Sequence, residues 1–154
     1  MARPPSAGIL LYRKYGDRLE VLLVHPGGPF WRNKDAGAWQ IPKGAVNPGE
    51  VPVEAARREF EEELGVRPEG ELAALGEFKQ AGGKRVYLFV REGDFDVDAI
   101  RSNHFELEWP PRGGKLASFP EVDRARWFSP GEARAMMLAS QHVALDRFEA
   151  HLRD

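Results

Sequence analysis

Three carboxylates and one guanidinium stand together in the middle of this sequence. Glu59, Glu62 and Glu63 occupy positions i, i+3 and i+4, and Arg58 directly precedes them. A helical residue advances about 100° per step, so Glu62 and Glu63 would fall within about 60° on either side of Glu59. Val53, Ala56, Phe60 and Leu64 form a neighbouring stripe centred roughly 100° away, which should face a core. Glu54 and Glu61 point the other way, to water. Like charges at this spacing destabilise a helix, so three of them beside an apolar stripe need an offsetting cation. Oxygen-only ligands suit hard ions such as Mg²⁺ or Mn²⁺, which sit between carboxylates and substrate phosphates. Arg58 flanks the cluster and Glu50 lies just before the helix. An Arg–carboxylate fork between them would fix the preceding loop against the helix. On this pattern alone, a solvated acidic helix face is an equally good reading.

The elements that must position these groups can be read on either side. Val51 to Leu64 is the strongest helix, with Pro52 at a first helical position and Gly65 just past the end. Gly8 to Tyr12 and Leu19 to Val24 read as a hairpin around a polar stretch that carries Gly16. A long loop from His25 to Ala38 follows, then the short apolar piece Trp39-Gln40-Ile41, stopped by Pro42. Leu72 to Phe78, Lys84 to Val90, His104 to Trp109 and Arg124 to Phe128 read as further strands. Pro110 to Gly114 reads as a loop. Ser129-Pro130-Gly131-Glu132 has the form of a capping box and opens a C-terminal helical region that Ser140 breaks in two. Met137, Ala144, Leu145, Phe148 and Leu152 supply its apolar stripe. Strands on both sides of a central helix, closed by C-terminal helices, indicate an α/β fold with a mixed sheet between helices.

Composition narrows the function. The 154 residues suit one domain, which can hide about 68–70% of its unfolded surface. Hydrophobic residues make up 42% and charged residues 30%, a globular balance. Lys plus Arg is 22 against 24 for Asp plus Glu, so neither nucleic acid nor an anionic membrane is expected to be held by bulk charge. There is no cysteine, which excludes disulfides, zinc–thiolate sites and thiol nucleophiles. The segment Met1 to Ser6 lacks the apolar stretch of a secretory leader, and no apolar run approaches the roughly 20 residues that span a bilayer. The expectation is a soluble, cytoplasmic protein.

The segment from Gly44 to Val66 resembles the Nudix box, the signature of the Nudix hydrolases. Gly44 is followed after five residues by Glu50, and seven residues later by Arg58-Glu59, Phe60, Glu62-Glu63, Gly65 and Val66. Every specified position matches, although an aliphatic residue is commoner where Phe60 stands. A chance match in the chain is on the order of one in ten million at ordinary residue frequencies. Ile41-Pro42-Lys43 is similar to the lead-in of that family. Pro26 to Trp31 and Phe105 to Pro111 resemble a bacterial subgroup of predicted NTP pyrophosphohydrolases.

The resemblance implies a Nudix-like α/β/α sandwich, a single domain over residues 1–154. It implies hydrolysis of a nucleoside diphosphate linked to another moiety, with release of a nucleoside monophosphate. A (d)NTP or a dinucleoside polyphosphate is the expected substrate and ADP-ribose less so; Gln80 to Lys84 carries neither the Pro of ADP-ribose groups nor the Tyr of dinucleoside-polyphosphate groups, and no coenzyme A signature is present. A non-catalytic nucleotide sensor is the alternative. Glu59, Glu62 and Glu63 would bind Mg²⁺ (or Mn²⁺), with Glu50 taking part or held by Arg58, and with the backbone carbonyl of Gly44 as a further ligand. Arg58 and the three glutamates form the implied catalytic set. The base would be Glu59 or a remote carboxylate, for which Glu106, Glu108 and Glu121 are the candidates.

Phosphate contacts could come from Lys43, Lys79, Lys84, Arg85, Arg112 and Lys115. Arg112 and Lys115 rank highest because a Gly-Pro loop lets groups move onto a ligand. Trp31, Trp39, Tyr87 and Phe89 could stack on a base. Lys43, Arg112, Lys115, Trp39 and Tyr87 are therefore the expected substrate contacts. His25 and His104 read more naturally as structural residues. A small nucleotide is the expected partner, and a homodimer is compatible with the chain.

Overall fold

The computed structural model describes residues 4–154, so Met1 to Arg3 of the segment inspected for a leader lie outside it. The first two strands, β1 (Ser6–Tyr15) and β2 (Arg18–Pro26), pair antiparallel through a tight turn in which Gly16 takes a positive φ of 64°. The turn is shorter than the polar stretch suggests, because both strands extend into it. Three-residue β3 (Lys43–Ala45) leads to the helix α1 (Pro52–Leu64). Then come β4 (Ala73–Lys79), β5 (Arg85–Glu92), β6 (His104–Glu108), β7 (Leu116–Pro120) and β8 (Val122–Phe128). The chain closes with α2 (Pro130–Met136) and α3 (His142–Arg153).

The main sheet runs β4-β5-β1-β2-β8, with β3 added beside β1. It is mixed: β1 is parallel to β5 and antiparallel to β2 and β3. Helix α1 covers one face. There Ala7, Ile9 and Leu11 of β1 meet Ala56, Phe60 and Leu64. Helices α2 and α3 cover the other, where Leu10, Leu23, Val86 and Leu88 meet Ala133, Leu145 and Phe148. The alternation along β1 supplies both faces at once. Each such Leu, Ile or Phe contributes roughly 1.5–3 kcal/mol on leaving water. The separate two-stranded ribbon β6–β7 stands off this sheet.

The helix signals hold. Pro52 sits in the first turn, and Gly65 ends α1 in the left-handed conformation at φ 93°. Ser129 accepts from the backbone of Glu132, and the Glu132 carboxylate accepts from Ser129 N–H. A short 3₁₀ turn at Ala139–Gln141 separates α2 from α3. Strands β3 and β7 were not expected. Both arise from pairing with distant partners: Ser6 with Ala45, and Glu106 with Ser118.

Candidate active site

The acidic face of α1 forms as the spacing requires. Glu59 and Glu63 are buried and Glu62 is half-buried, whereas Glu54 and Glu61 face water. The apolar stripe next to it packs on the sheet and so fixes the helix rotation. The C-terminal end is also fixed: Glu62 and Leu64 carbonyls accept from the N–H groups of Asn103 and Arg101. Those bonds satisfy carbonyls that would otherwise lack partners at a helix end.

Arg58 organises the N-terminal side. Its Nε and Nη2 each donate at 2.9 Å to the two oxygens of Glu50, the expected fork. Its Nη1 donates to Glu59 at 2.9 Å and to Glu62 at 3.1 Å, and Nη2 also reaches the Ala45 carbonyl at 2.8 Å. The guanidinium beside it holds the Glu50 carboxyl down to about 2. Five donors thus tie the loop, the strand β3 and the helix into one unit.

Among the described residues, no guanidinium bonds to Glu63 or Glu121 on the other side. Burial raises Glu63 well above the usual carboxylate range, and the charges of Glu59 and Glu121 push it further. Burial also raises Glu59, against its bond with Arg58. Glu121, at the β7–β8 junction, is raised by burial and by Glu62. Glu63 accepts the backbone N–H of Lys43 at 3.2 Å. A cavity of about 140 Å³ opens here, lined by Gln40, Ile41, Lys43, Glu63 and Glu121. Burial, together with the nearby charge of Lys84, lowers the Lys43 ammonium.

This is a set of hard oxygen donors crowded in a poorly solvated place, the environment that a divalent cation relieves. Gly44 makes room for the Glu59 carboxylate. A Cβ there would stand 2.0 Å from the Glu59 carboxyl carbon, so no other residue type fits without moving that carboxylate. Among the described residues, no three acidic or His side chains already converge as a finished metal cage. The physical reason is visible in Arg58, which holds Glu59 and Glu62 to itself. The residues nonetheless fit a hard divalent ion in chemistry and in space.

Of the three remote carboxylates, Glu121 is the one brought to the cluster. Glu106 and Glu108 lie exposed on the ribbon, where Glu108 accepts the backbone N–H of Arg112. Arg112 and Lys115 are exposed in the ribbon's turn, roughly 20 Å of extended chain from Glu121. At the acidic cluster itself the ranking differs: the lysine there is Lys43, with Lys84 close enough to act on it. The expectation for Trp39 is corrected. It is fully buried, its Nε1 donates to Asp35 at 2.8 Å, and its ring packs edge-on against His25 and Phe128, so it has no face for a base. Tyr87 is half-buried on the α1 face of β5, in register with Ala7, whose other neighbour is Gly44. Gln40 was missed. It has no sequence signal, since only the pairing of Val24 with Gln40 brings it to the cavity.

The sequence matches the family model of the NUDIX domain over residues 2–148. An RNA pyrophosphohydrolase of Caulobacter vibrioides (strain NA1000 / CB15N) is 34% identical, with 66% of this chain and 73% of that protein covered. One of Sulfurovum sp. is 35% identical over 51% of this chain, which spans 44% of that protein's length. Among solved structures, a C. elegans Ap4A hydrolase in a binary complex superimposes with a TM-score of 0.65 at 25% identity, over 96% of this chain and 98% of that one. The NUDIX domain of Shewanella oneidensis NrtR, complexed with ADP ribose, gives 0.69 at 17% identity over 99% and 90%, a likeness of fold alone. With a family match across nearly the whole chain and the mixed sheet those structures share, this chain belongs to the NUDIX family.

Proposed function

We propose that this chain is a divalent-metal-dependent pyrophosphohydrolase, a single domain that cleaves a nucleoside diphosphate linked to another moiety and releases a nucleoside monophosphate. The observation that carries this reading is the gathering of Glu59, Glu63 and Glu121 with Lys43 at the side-chain-free position of Gly44. NUDIX enzymes generally use divalent metals, and the all-oxygen donor set favours Mg²⁺, with Mn²⁺ as its substitute. Glu59, Glu62, Glu63 and the Gly44 carbonyl would hold the ion, with Glu50 kept at the rim by Arg58. When bound, it supplies Lewis-acid polarisation of the pyrophosphate and activation of water.

The chain's own residues do the rest. Arg58 orients Glu59 and neutralises the N-terminal half of the cluster. Lys43, against the cavity, donates to a phosphate oxygen. Glu121 takes the proton of the attacking water. A raised carboxylate outside the helix is suited to that task, because a ligand carboxylate cannot also be a free base. Tyr87 flanks the nucleoside, and the ribbon cations Arg112 and Lys115 meet the far end of a long substrate. The nucleotide substrate places this work in the cytoplasm.

Substrate classes are separated by measuring nucleoside monophosphate release from NTPs, dNTPs, dinucleoside polyphosphates, 5′-triphosphorylated RNA and ADP-ribose, each with Mg²⁺, Mn²⁺ or EDTA. The expected result is cleavage of a (d)NTP or of a dinucleotide-like substrate that EDTA abolishes. The names of the relatives put RNA and Ap4A in the same panel. Full activity of Glu63→Gln would overturn the proposal.

A further inference from the structure

His25 lies one residue before the end of β2 and is fully buried. Both of its ring nitrogens face acceptors. Nδ1 lies 2.8 Å from a carboxylate oxygen of Asp123, and Nε2 lies 2.6 Å from the backbone carbonyl of Lys34. A neutral imidazole has one donor and one acceptor nitrogen, so it can serve only one of these partners. Leaving the other contact unmade inside the protein is costly. The surrounding charges allow the alternative. Asp123 keeps about a third of its side chain exposed and has Arg124 at 3.8 Å. Trp39 packs edge-on at 5.3 Å, with Asp35 on its Nε1 and Arg124 and Arg126 over its ring. The Lys34 ammonium points away, over the Trp31 ring.

The two partners belong to different parts of the site. Lys34 lies in the loop between β2 and Trp39. Asp123 lies two residues beyond Glu121, whose carbonyl accepts the N–H of Gly27 at 2.9 Å. We propose that His25 is a positioning residue: donating from both ring nitrogens, as an imidazolium, it clamps the Gly27–Ala38 loop to β8 and so fixes Glu121 at the acidic cluster. The clamp is whole while both nitrogens carry protons. Without one of those protons, one acceptor has no donor, and either the loop or Asp123 is released. The inference rests on the role given to Glu121 above.

The protein loaded with Mg²⁺ and ¹⁵N-histidine tests this directly. Ring-nitrogen spectra at neutral pH should show His25 protonated at both positions. A singly protonated, neutral ring would overturn the proposal. Two variants read the consequence. His25→Phe keeps a ring against Trp39 but removes both donors. It should lower kcat about tenfold, more than it alters KM, and speed tryptic cutting at Arg32 and Lys34 severalfold. Asp123→Asn offers Nδ1 an amide donor, so a neutral ring then satisfies both partners. It should keep kcat and tryptic cutting near wild-type values, with the ring protonated at Nε2 alone. A kcat as low and cutting as fast in Asp123→Asn as in His25→Phe would overturn the clamp. If the enzyme cleaves nothing in the panel, the failure falls on the functional reading, while spectra and proteolysis still decide the state of His25.

Discussion

The two ends of one acidic helix face differ in how their charge is met. At the N-terminal end Glu50 is exposed enough to be solvated and bound by a two-pronged guanidinium, and its carboxyl is pulled down. At the other end Glu63 is buried beside Glu59 and Glu121, and its carboxyl is pushed up. Arg58 bonds to Glu50, Glu59 and Glu62 but not to Glu63. The second end is left with more negative charge than Lys43 can offset, and under the proposed function a divalent ion would complete it. On the proposed function, a single arginine thereby divides the face into a structural half and a reactive half.

The sharpest way to break this division is to neutralise the reactive half. Glu63→Gln should lower kcat/KM by about 10²–10³-fold, in the range of losing one charge-stabilising group, while thermal stability in EDTA holds or rises. Filling the gap beside Glu59 should come next. Gly44→Ala places a methyl where the Glu59 carboxyl lies, and a displacement near 1 Å at a reacting centre costs about 10²-fold in rate.

Breaking the structural half should show the opposite balance. Arg58→Ala unties Glu50 from the helix, so unfolding temperature should fall by several degrees with a rate loss of about tenfold. The pH behaviour sharpens the contrast. A carboxyl whose folded value is lowered, as for Glu50, stabilises above the ordinary carboxylate range and loses that contribution as pH falls towards about 2. Carboxyls whose folded values are raised, as for Glu59 and Glu63, favour the protonated folded state. Their ionisation therefore lowers stability as pH climbs from the ordinary range through the raised one. Mg²⁺ should then raise the unfolding temperature more at pH 8 than at pH 5, with about 2.7 kcal/mol available at 100 times Kd. The smallest effect belongs to a region outside both halves. Ser129→Ala removes the cap of α2, and calorimetry should find about 1 kcal/mol of destabilisation with unchanged kcat.

The same contrast explains what could be read in advance. The helix face, its outward Glu54 and Glu61, the Arg58–Glu50 fork and the Gly65 stop are all local in sequence, and a 3.6-residue period describes them. Trp39 looked available because nothing nearby shows that His25, Asp35 and Phe128 surround it. Arg112 and Lys115 sit in a loop of suitable composition, and only the long-range pairing of β6 with β7 makes that loop the exposed turn of a separate ribbon. Strand β3 has too few residues for a period and exists because β1 offers it an edge. Glu121 was one of three equal candidates until the β7–β8 junction brought it to Glu63.

The ribbon β6–β7 bonds mainly to itself, and it leans on the loop through Phe105 beside Gly28 and through the Phe30–Trp109 pair. Strand β1, by contrast, is flanked by β2 and β3 on one edge and β5 on the other. Deuterium should therefore enter the amides of residues 104–120 through local opening, long before it enters those of Ile9 and Leu10. A bound substrate that touches the ribbon would appear first as slowed labelling there, while the centre of the sheet kept its own rate.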